Sequence, residues 1–450
     1  MQRSQAGAAG AGDPAPAVRG AAPALGWVAL CIVGSGVLTY VYLALVARAV
    51  PTADYGWFGS YWSLALLVGF GAFLPVELEL ARLLHRRPPG ARLPRGTVAT
   101  LALLAACGAV ALLAAAGELV PSLGGHVGFL LALLAVCALS AGQFLLRGLL
   151  LGADRLGTHG TVLLLDSGVR VVLAVLLTVF VPSADGAAYA WTLVGGMALA
   201  HLPLLAWVLV RRRRSAPPPV PPEEDPPARA FAGAVGHLLV GSLCAQALLN
   251  AAPILATALA AEGQAQVAAR FIASYTLVRL PLFVAVPLQS ALIPVLTRLQ
   301  ATPGGDAALR RLAVRGLAAV TVLAGVAALA GYLLGPWVVA LVFGERYALT
   351  GPEIGLLAAG GVLHLGLLVG SQALVASGRH RAVATVWAGG LAVAGVLIVL
   401  VPDLVLRLAS AFTVGSGVGL LLTVLFLVHA TRATAAPAAE PAVPTPGSAR

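Results

Sequence analysis

Apolar and polar positions in this chain alternate on one long scale. Long apolar runs, separated by short punctuation rich in Pro, Gly and Arg, lie near residues 25–47, 57–84, 97–119, 127–151, 161–181 and 187–210. After one polar interruption the pattern resumes near 233–260, 267–294, 312–334, 354–376, 382–401 and 404–428. Each run reaches the roughly 20 residues that a helix needs to cross about 30 Å of hydrocarbon. Short alternating segments, which barrel strands would require, are absent, and a helix alone can satisfy its own backbone in lipid. The predicted fold is all-α, a polytopic membrane protein with 12 transmembrane helices.

The interruption at 211–230 organises the rest. It holds Arg211, Arg212, Arg213 and Arg214, then Pro217, Pro218, Pro219, Pro221 and Pro222, then Glu223, Glu224 and Asp225. Nothing in it suits a bilayer interior, so it reads as a cytoplasmic linker between an N-terminal six-helix lobe at 25–210 and a C-terminal one at 231–430. Residues 1–24 and 431–450 are Ala- and Pro-rich, lack periodicity and are expected to be disordered cytoplasmic tails.

Composition agrees: 60% of residues are hydrophobic, 10% are charged and the mean hydropathy is +0.95, values outside the range of soluble domains. A net charge of +11 would raise nucleic-acid binding in a soluble protein. Here the arginines fall on alternate loops, at 86, 87, 92, 95, 155, 211–214, 298, 310, 311, 379 and 381, as the positive-inside rule places them. No nucleic-acid partner is expected, and both termini are assigned to the cytoplasmic side of the cell membrane. Cys31, Cys107, Cys137 and Cys244 lie inside apolar runs and read as small core residues. No phosphate-binding Gly-rich loop and no metal-ligand spacing occurs, so neither a nucleotide motor nor a cofactor is expected.

Ionised side chains inside spans cost about 2.5–3.5 kcal/mol on insertion scales, so those present are expected to face a cavity or a partner. Arg270 and Arg279 lie in the eighth run, Arg279 near the bilayer midplane, followed by Pro281, Pro287 and Pro294. One reading has them binding an anionic phosphate through guanidinium forks; the other is structural pairing or snorkelling. Nine positions apart, they fall on opposite helix faces, so both do not point inward. Asp166 and Arg170 are four apart and suited to pair on one face, either as a self-neutralising couple or as a proton-released arginine. Arg147 stands near the inner end of its helix, as phosphate contact or as anchor. Glu77, Glu79 and Arg82 close the second run, as a gate or as a solvated helix end. Gln143, Gln246, Asn250, Gln289 and Gln372 suit sugar hydroxyls or interhelical hydrogen bonds equally. Tyr40 and Tyr42 suit sugar stacking or an interfacial position; Trp57 and Trp62 read as interfacial aromatics.

Several stretches together resemble the flippases of the multidrug/oligosaccharidyl-lipid/polysaccharide (MOP) superfamily that move polysaccharide and lipid-linked oligosaccharide units. They are YVYLALVARAVPTADYG at 40–56, LLRGLLLGADRLGTHG at 145–160, RLPLFVAVPLQSALIPVLTRL at 279–299 and LVFGERYALTGP at 341–352. The resemblance implies two six-helix lobes around a central cavity and movement of a lipid-pyrophosphate-linked glycan to the outer leaflet. It implies membrane lipids and glycan polymerases or glycosyltransferases as partners. Arg279, Arg270, Arg147, Arg170, Asn250 and Gln143 are then the substrate-binding candidates, and Asp166, Glu77 and Glu79 the coupling or gate candidates. Two rivals stand beside it. An ion-coupled drug/cation antiporter of the same superfamily predicts acids deep in the first or seventh helix, where none occurs. A membrane enzyme acting on lipid-linked sugars needs a sizeable outer loop, and the longest here offers only Glu345, Arg346, Tyr347 and Glu353.

Overall fold

The computed structural model of the chain describes residues 17–433, apart from 89, 215–226, 283–295, 297–298, 300–301, 303 and 378. Every regular element among the described residues is helical. The helices are α1 (Ala17–Ala49), α2 (Thr52–Leu66), a π-helical segment (Leu67–Phe73), α3 (Leu74–His85), α4 (Thr97–Ala114), α5 (Ala116–Ser122), α6 (Val127–Gly152), α7 (Leu156–Phe180) and α8 (Gly186–Arg214). They continue with α9 (Ala228–Ala258), α10 (Ala265–Val278), α11 (Gly305–Phe343), a 3-10 turn (Glu345–Tyr347), α12 (Gly351–Ala376), α13 (His380–Leu400) and α14 (Leu404–Ala433). Among the described residues 11 helical stretches are long and apolar enough to span a membrane. The eighth expected span begins as α10, and its part from 283 onward, with Pro287, Gln289 and Pro294, lies outside the described residues, as do most of the linker and of both tails.

The all-α polytopic architecture is therefore present, with corrections at particular places. Residues 17–24, assigned to a tail, form the start of α1, because alanine extends a helix at little cost once the apolar run has nucleated it. Arg211 to Arg214, assigned to the linker, are the last turn of α8, where cations meet the negative end of the helix dipole. The third run divides into α4 and α5. The ninth extends to Gly305–Phe343, its Arg310, Arg311 and Arg315 exposed at the end where long side chains reach out of the apolar layer. Cys107 is exposed rather than in the core.

The two halves pack by one scheme. In the first, α1 lies on α7, α7 and α6 on α8, and α3 and α4 on α6; in the second, α9 lies on α13, α13 and α12 on α14, and α10 and α11 on α12. Counted as spans, each half repeats the same pairs in the same order, which is how internal repeats of transporters are built. The halves meet where α2 contacts α9 and α10, and where the π segment and α3 contact α9.

Candidate functional site

A cavity of about 310 Å³ lies at that meeting line, walled by α1, α2, the π segment, α6, α7 and α8 from the first half and by α9 and the end of α10 from the second. Among the described residues its charged lining is Arg147, Asp166, Arg170 and Arg279, and the polar lining includes Ser35, Thr39, Tyr40, Gln143, Ser167, Gln246 and Thr276. Tyr40 reaches across the halves, its hydroxyl donating to the Thr276 carbonyl at 2.7 Å.

The wall is irregular where it needs to be. In the π segment Gly69 and Phe70 face the cavity, and Ser242 of α9 donates to the Phe70 carbonyl at 3.0 Å. Inserted π turns release carbonyls that a neighbouring helix must satisfy, and they recur at functional sites. Opposite, α10 ends at Arg279, a helix-cap residue followed by Pro281, so the guanidinium springs from a helix end in the cavity wall.

Each cavity arginine stacks on aromatic rings. The Arg147 guanidinium lies 5.4 Å from the Phe70 centroid and 4.9 Å from that of Phe144. That of Arg170 lies 5.8 Å from Tyr42 and 5.2 Å from Trp62, and that of Arg279 lies 5.5 Å from Tyr275. Stacking steadies the cation by about 0.5–2 kcal/mol while leaving its N–H edge available.

Their acidic partners differ. Arg147 pairs with Glu77, Nε to Oε2 at 3.0 Å and Nη2 to Oε1 at 3.2 Å, and His159 Nε2 stands 3.7 Å from the same carboxylate. Arg170 donates to Asp166 one turn away. Arg279 meets no carboxylate among the described residues; its Nη2 donates to Asn250 Oδ1 at 3.0 Å, and the Asn250 amide donates to Gln246 Oε1 at 2.9 Å. Among the described residues Asp166 Oδ1 and Arg170 Nε are buried without a hydrogen-bond partner, polar capacity that a ligand or water in the cavity would take up.

Of the residues singled out in the sequence, Arg279, Arg147, Arg170, Gln143 and Asp166 line this cavity, with Asn250 and Glu77 directly behind it. Glu79 instead forms a two-point pair with Arg82 at 2.7 and 2.6 Å, away from the lining. Arg270 is outside it as well, donating through Nε to the Arg346 carbonyl at 3.2 Å. Tyr42 and Trp62 are core residues, not interfacial ones: the Tyr42 hydroxyl bonds to the Tyr189 carbonyl and Thr192 Oγ1, both at 3.0 Å. Phe70, Phe144 and Tyr275 as ring partners, Gln246 as relay, and His159 went unassigned in the sequence, while Tyr42 and Trp62 were given other roles there.

Beyond the cavity, the end of α1 and the end of α11 cap each other. Arg48 donates to the Leu341 and Val342 carbonyls at 2.6 and 3.2 Å. Arg346 donates to those of Ala47 and Val50 at 2.8 and 3.1 Å, and the Tyr347 hydroxyl to that of Ala47 at 2.8 Å. Helix C-terminal carbonyls have no partner within their own helix, and here each half supplies the donors for the other. Tyr55 and Tyr347 meet edge to face beneath, centroids 5.1 Å apart.

No protein-family model matches the chain. Over 281 residues it is 27% identical to uncharacterized proteins of Mycobacterium bovis and Mycobacterium tuberculosis, a match spanning 61% of this chain and 61% of each relative. Solved structures resemble it over far more of its length. An inward-facing multidrug resistance MATE family transporter of the MOP superfamily superposes with a TM-score of 0.65 at 15% identity, over 89% of this chain and 96% of that one. An outward-facing conformation of such a transporter gives 0.57 at 16%, over 92% and 96%. A MOP superfamily transporter from Pyrococcus furiosus, for which a reversed polarity of the binding pocket suggests a different function, gives 0.59 at 17%, over 91% and 96%. The chain has the fold of a MATE-like polytopic membrane transporter.

Proposed function

We propose that the protein is a transporter that carries an anionic, lipid-linked substrate across the membrane by alternating access, a lipid-pyrophosphate-linked glycan being the class that fits best. The observation that carries this reading is Arg279: a cavity cation from the second half, held by a neutral amide and answered by no carboxylate among the described residues. With Arg147 and Arg170 opposite, three guanidinium groups stand against the carboxylates of Asp166 and Glu77. Among the described residues the surplus is one positive charge, in a site whose other lining residues are uncharged. A cation would find both acids already engaged, whereas a phosphate finds one arginine waiting and two that need only exchange partners. Apolar and aromatic lining beside the arginines suits the lipid portion and the faces of sugar rings.

The reversed pocket polarity of the Pyrococcus furiosus transporter supports the idea that this fold admits such a change of charge. Closure by the α1–α11 ends, with the higher superposition on the inward-facing transporter, supports reading this conformation as the outward-closed one. Opening would then break the Arg48 and Arg346 contacts and bring the opposite ends of the halves together.

The test is translocation of a fluorescent undecaprenyl-pyrophosphate oligosaccharide in proteoliposomes, beside uptake of a cationic dye. Wild type should move the lipid and not the dye, and Arg279→Ala should abolish movement while inserting normally. Dye uptake that survives Arg279→Ala and is lost in Asp166→Asn would replace this reading with cation antiport.

A further inference from the structure

A second recess lies away from the central cavity, on the arginine-rich side of the first half, between the loop after α3 and the last turn of α8. Its floor is hydrocarbon, from Val98, Leu145 and Leu209, and its rim carries Arg92, Arg212 and Arg213. The loop is fastened by arginines that use backbone acceptors: Arg87 donates to the Arg92 carbonyl at 3.2 Å, and Arg212 donates to that of Ala91. Those bonds set the shape of the rim. The side chains of Arg92 and Arg213 are exposed and make no hydrogen bond or ion pair among the described residues.

The height of the recess in the bilayer is marked independently. Trp207, on α8 one turn before Arg211, is 48% exposed with the Arg211 guanidinium 5.2 Å from its ring centroid. An exposed tryptophan beside a helix-end arginine is the signature of the headgroup level. A cationic rim at that level above an apolar floor matches one kind of molecule. The phosphate would lie between Arg92 and Arg213 and an acyl chain along Val98, Leu145 and Leu209. A zwitterionic lipid brings its own cation against the rim, and a soluble anion gains nothing from the floor.

We propose that this recess binds an anionic phospholipid of the surrounding bilayer, as a site separate from the central cavity. Basic recesses between spanning helices on the cytoplasmic side are suited to such headgroups, and guanidinium forks match phosphate oxygens. The site rests on neither the transported substrate nor Arg279, so it stands or falls by itself.

The experiment uses the full chain in detergent, with lipid retention read by native mass spectrometry and the thermal midpoint read alongside. Phosphatidylglycerol, phosphatidylcholine and inorganic phosphate are added separately. The variants are Arg92→Ala with Arg213→Ala, the single Arg213→Gln, and Arg310→Ala with Arg311→Ala as a charge-matched control on exposed arginines of α11. Phosphatidylglycerol should be retained by wild type and by the control. It should bind about thirtyfold more weakly to the Arg92/Arg213 double variant and about fivefold more weakly to Arg213→Gln, as expected for arginines that each act at a membrane surface. Equal retention by the double variant and wild type overturns the proposal, and so does equal retention of phosphatidylcholine. Stabilisation by inorganic phosphate matching that by phosphatidylglycerol overturns it in favour of a soluble anion.

Discussion

The cavity's two sides carry the same residue type in opposite circumstances. On the first half Arg147 and Arg170 are buried, stacked and paired with Glu77 and Asp166; on the second, Arg279 is stacked but held only by the neutral Asn250. A buried ion pair stabilises little net of desolvation, yet breaking one leaves a stranded charge. The first two arginines are thus tied to the integrity of their half, whereas the third, on the proposed reading, keeps its charge for the substrate. Stability and transport should separate along that line.

The sharpest break is Asp166→Asn, which leaves Arg170 without a counter-charge and should cost about 3–5 kcal/mol of stability, read as the unfolding midpoint in detergent. Arg279→Ala should leave that midpoint nearly unmoved; comparable losses for the two would erase the distinction. Next comes Asn250→Ala, which unfastens Arg279 without removing it. A hydrogen bond to a charged group contributes about 1.5–3 kcal/mol, so substrate affinity should fall by at least tenfold with the maximal rate less affected. Arg270→Ala, which removes a donor to the Arg346 carbonyl outside the cavity, should weaken transport by no more than a few-fold, about 1 kcal/mol. The smallest effect belongs to Arg82→Ala. Its partner Glu79 is buried but the Arg82 side chain is 49% exposed, and exposed pairs contribute about 0–1 kcal/mol, so both stability and transport should stay close to wild type.

Some of this contrast was legible in the sequence. The four-residue spacing of Asp166 and Arg170 fixes their pairing once the helix is granted, and the nine-residue spacing of Arg270 and Arg279 separates their faces. Both inferences use only the period of one helix, which periodicity delivers. The Arg147–Glu77 pair joins positions 70 apart, and the Arg48–Val342 contact positions 294 apart; each depends on how helices are rotated against one another, and that is set by packing. Tyr42 and Trp62 looked interfacial because aromatics near helix ends usually are, but α1 runs on to Ala49 and carries Tyr42 into the core. The π segment had only Gly69 and Gly71 as a written hint, and two glycines in an apolar run more often signal close packing.

The mutual capping of α1 and α11 has a consequence for what can operate it. Its acceptors are main-chain carbonyls and its donors are two guanidinium groups and a phenol, and burial pushes the Tyr347 hydroxyl up to about 12. A phenol so raised stays a donor until pH climbs through that value, and arginine keeps its proton throughout. No group in the latch titrates between acidic and neutral conditions. Acidification therefore leaves these donors as they are, and among the described residues a proton bears on the latch through a neighbouring carboxylate, Asp54, whose charge acts on Tyr347.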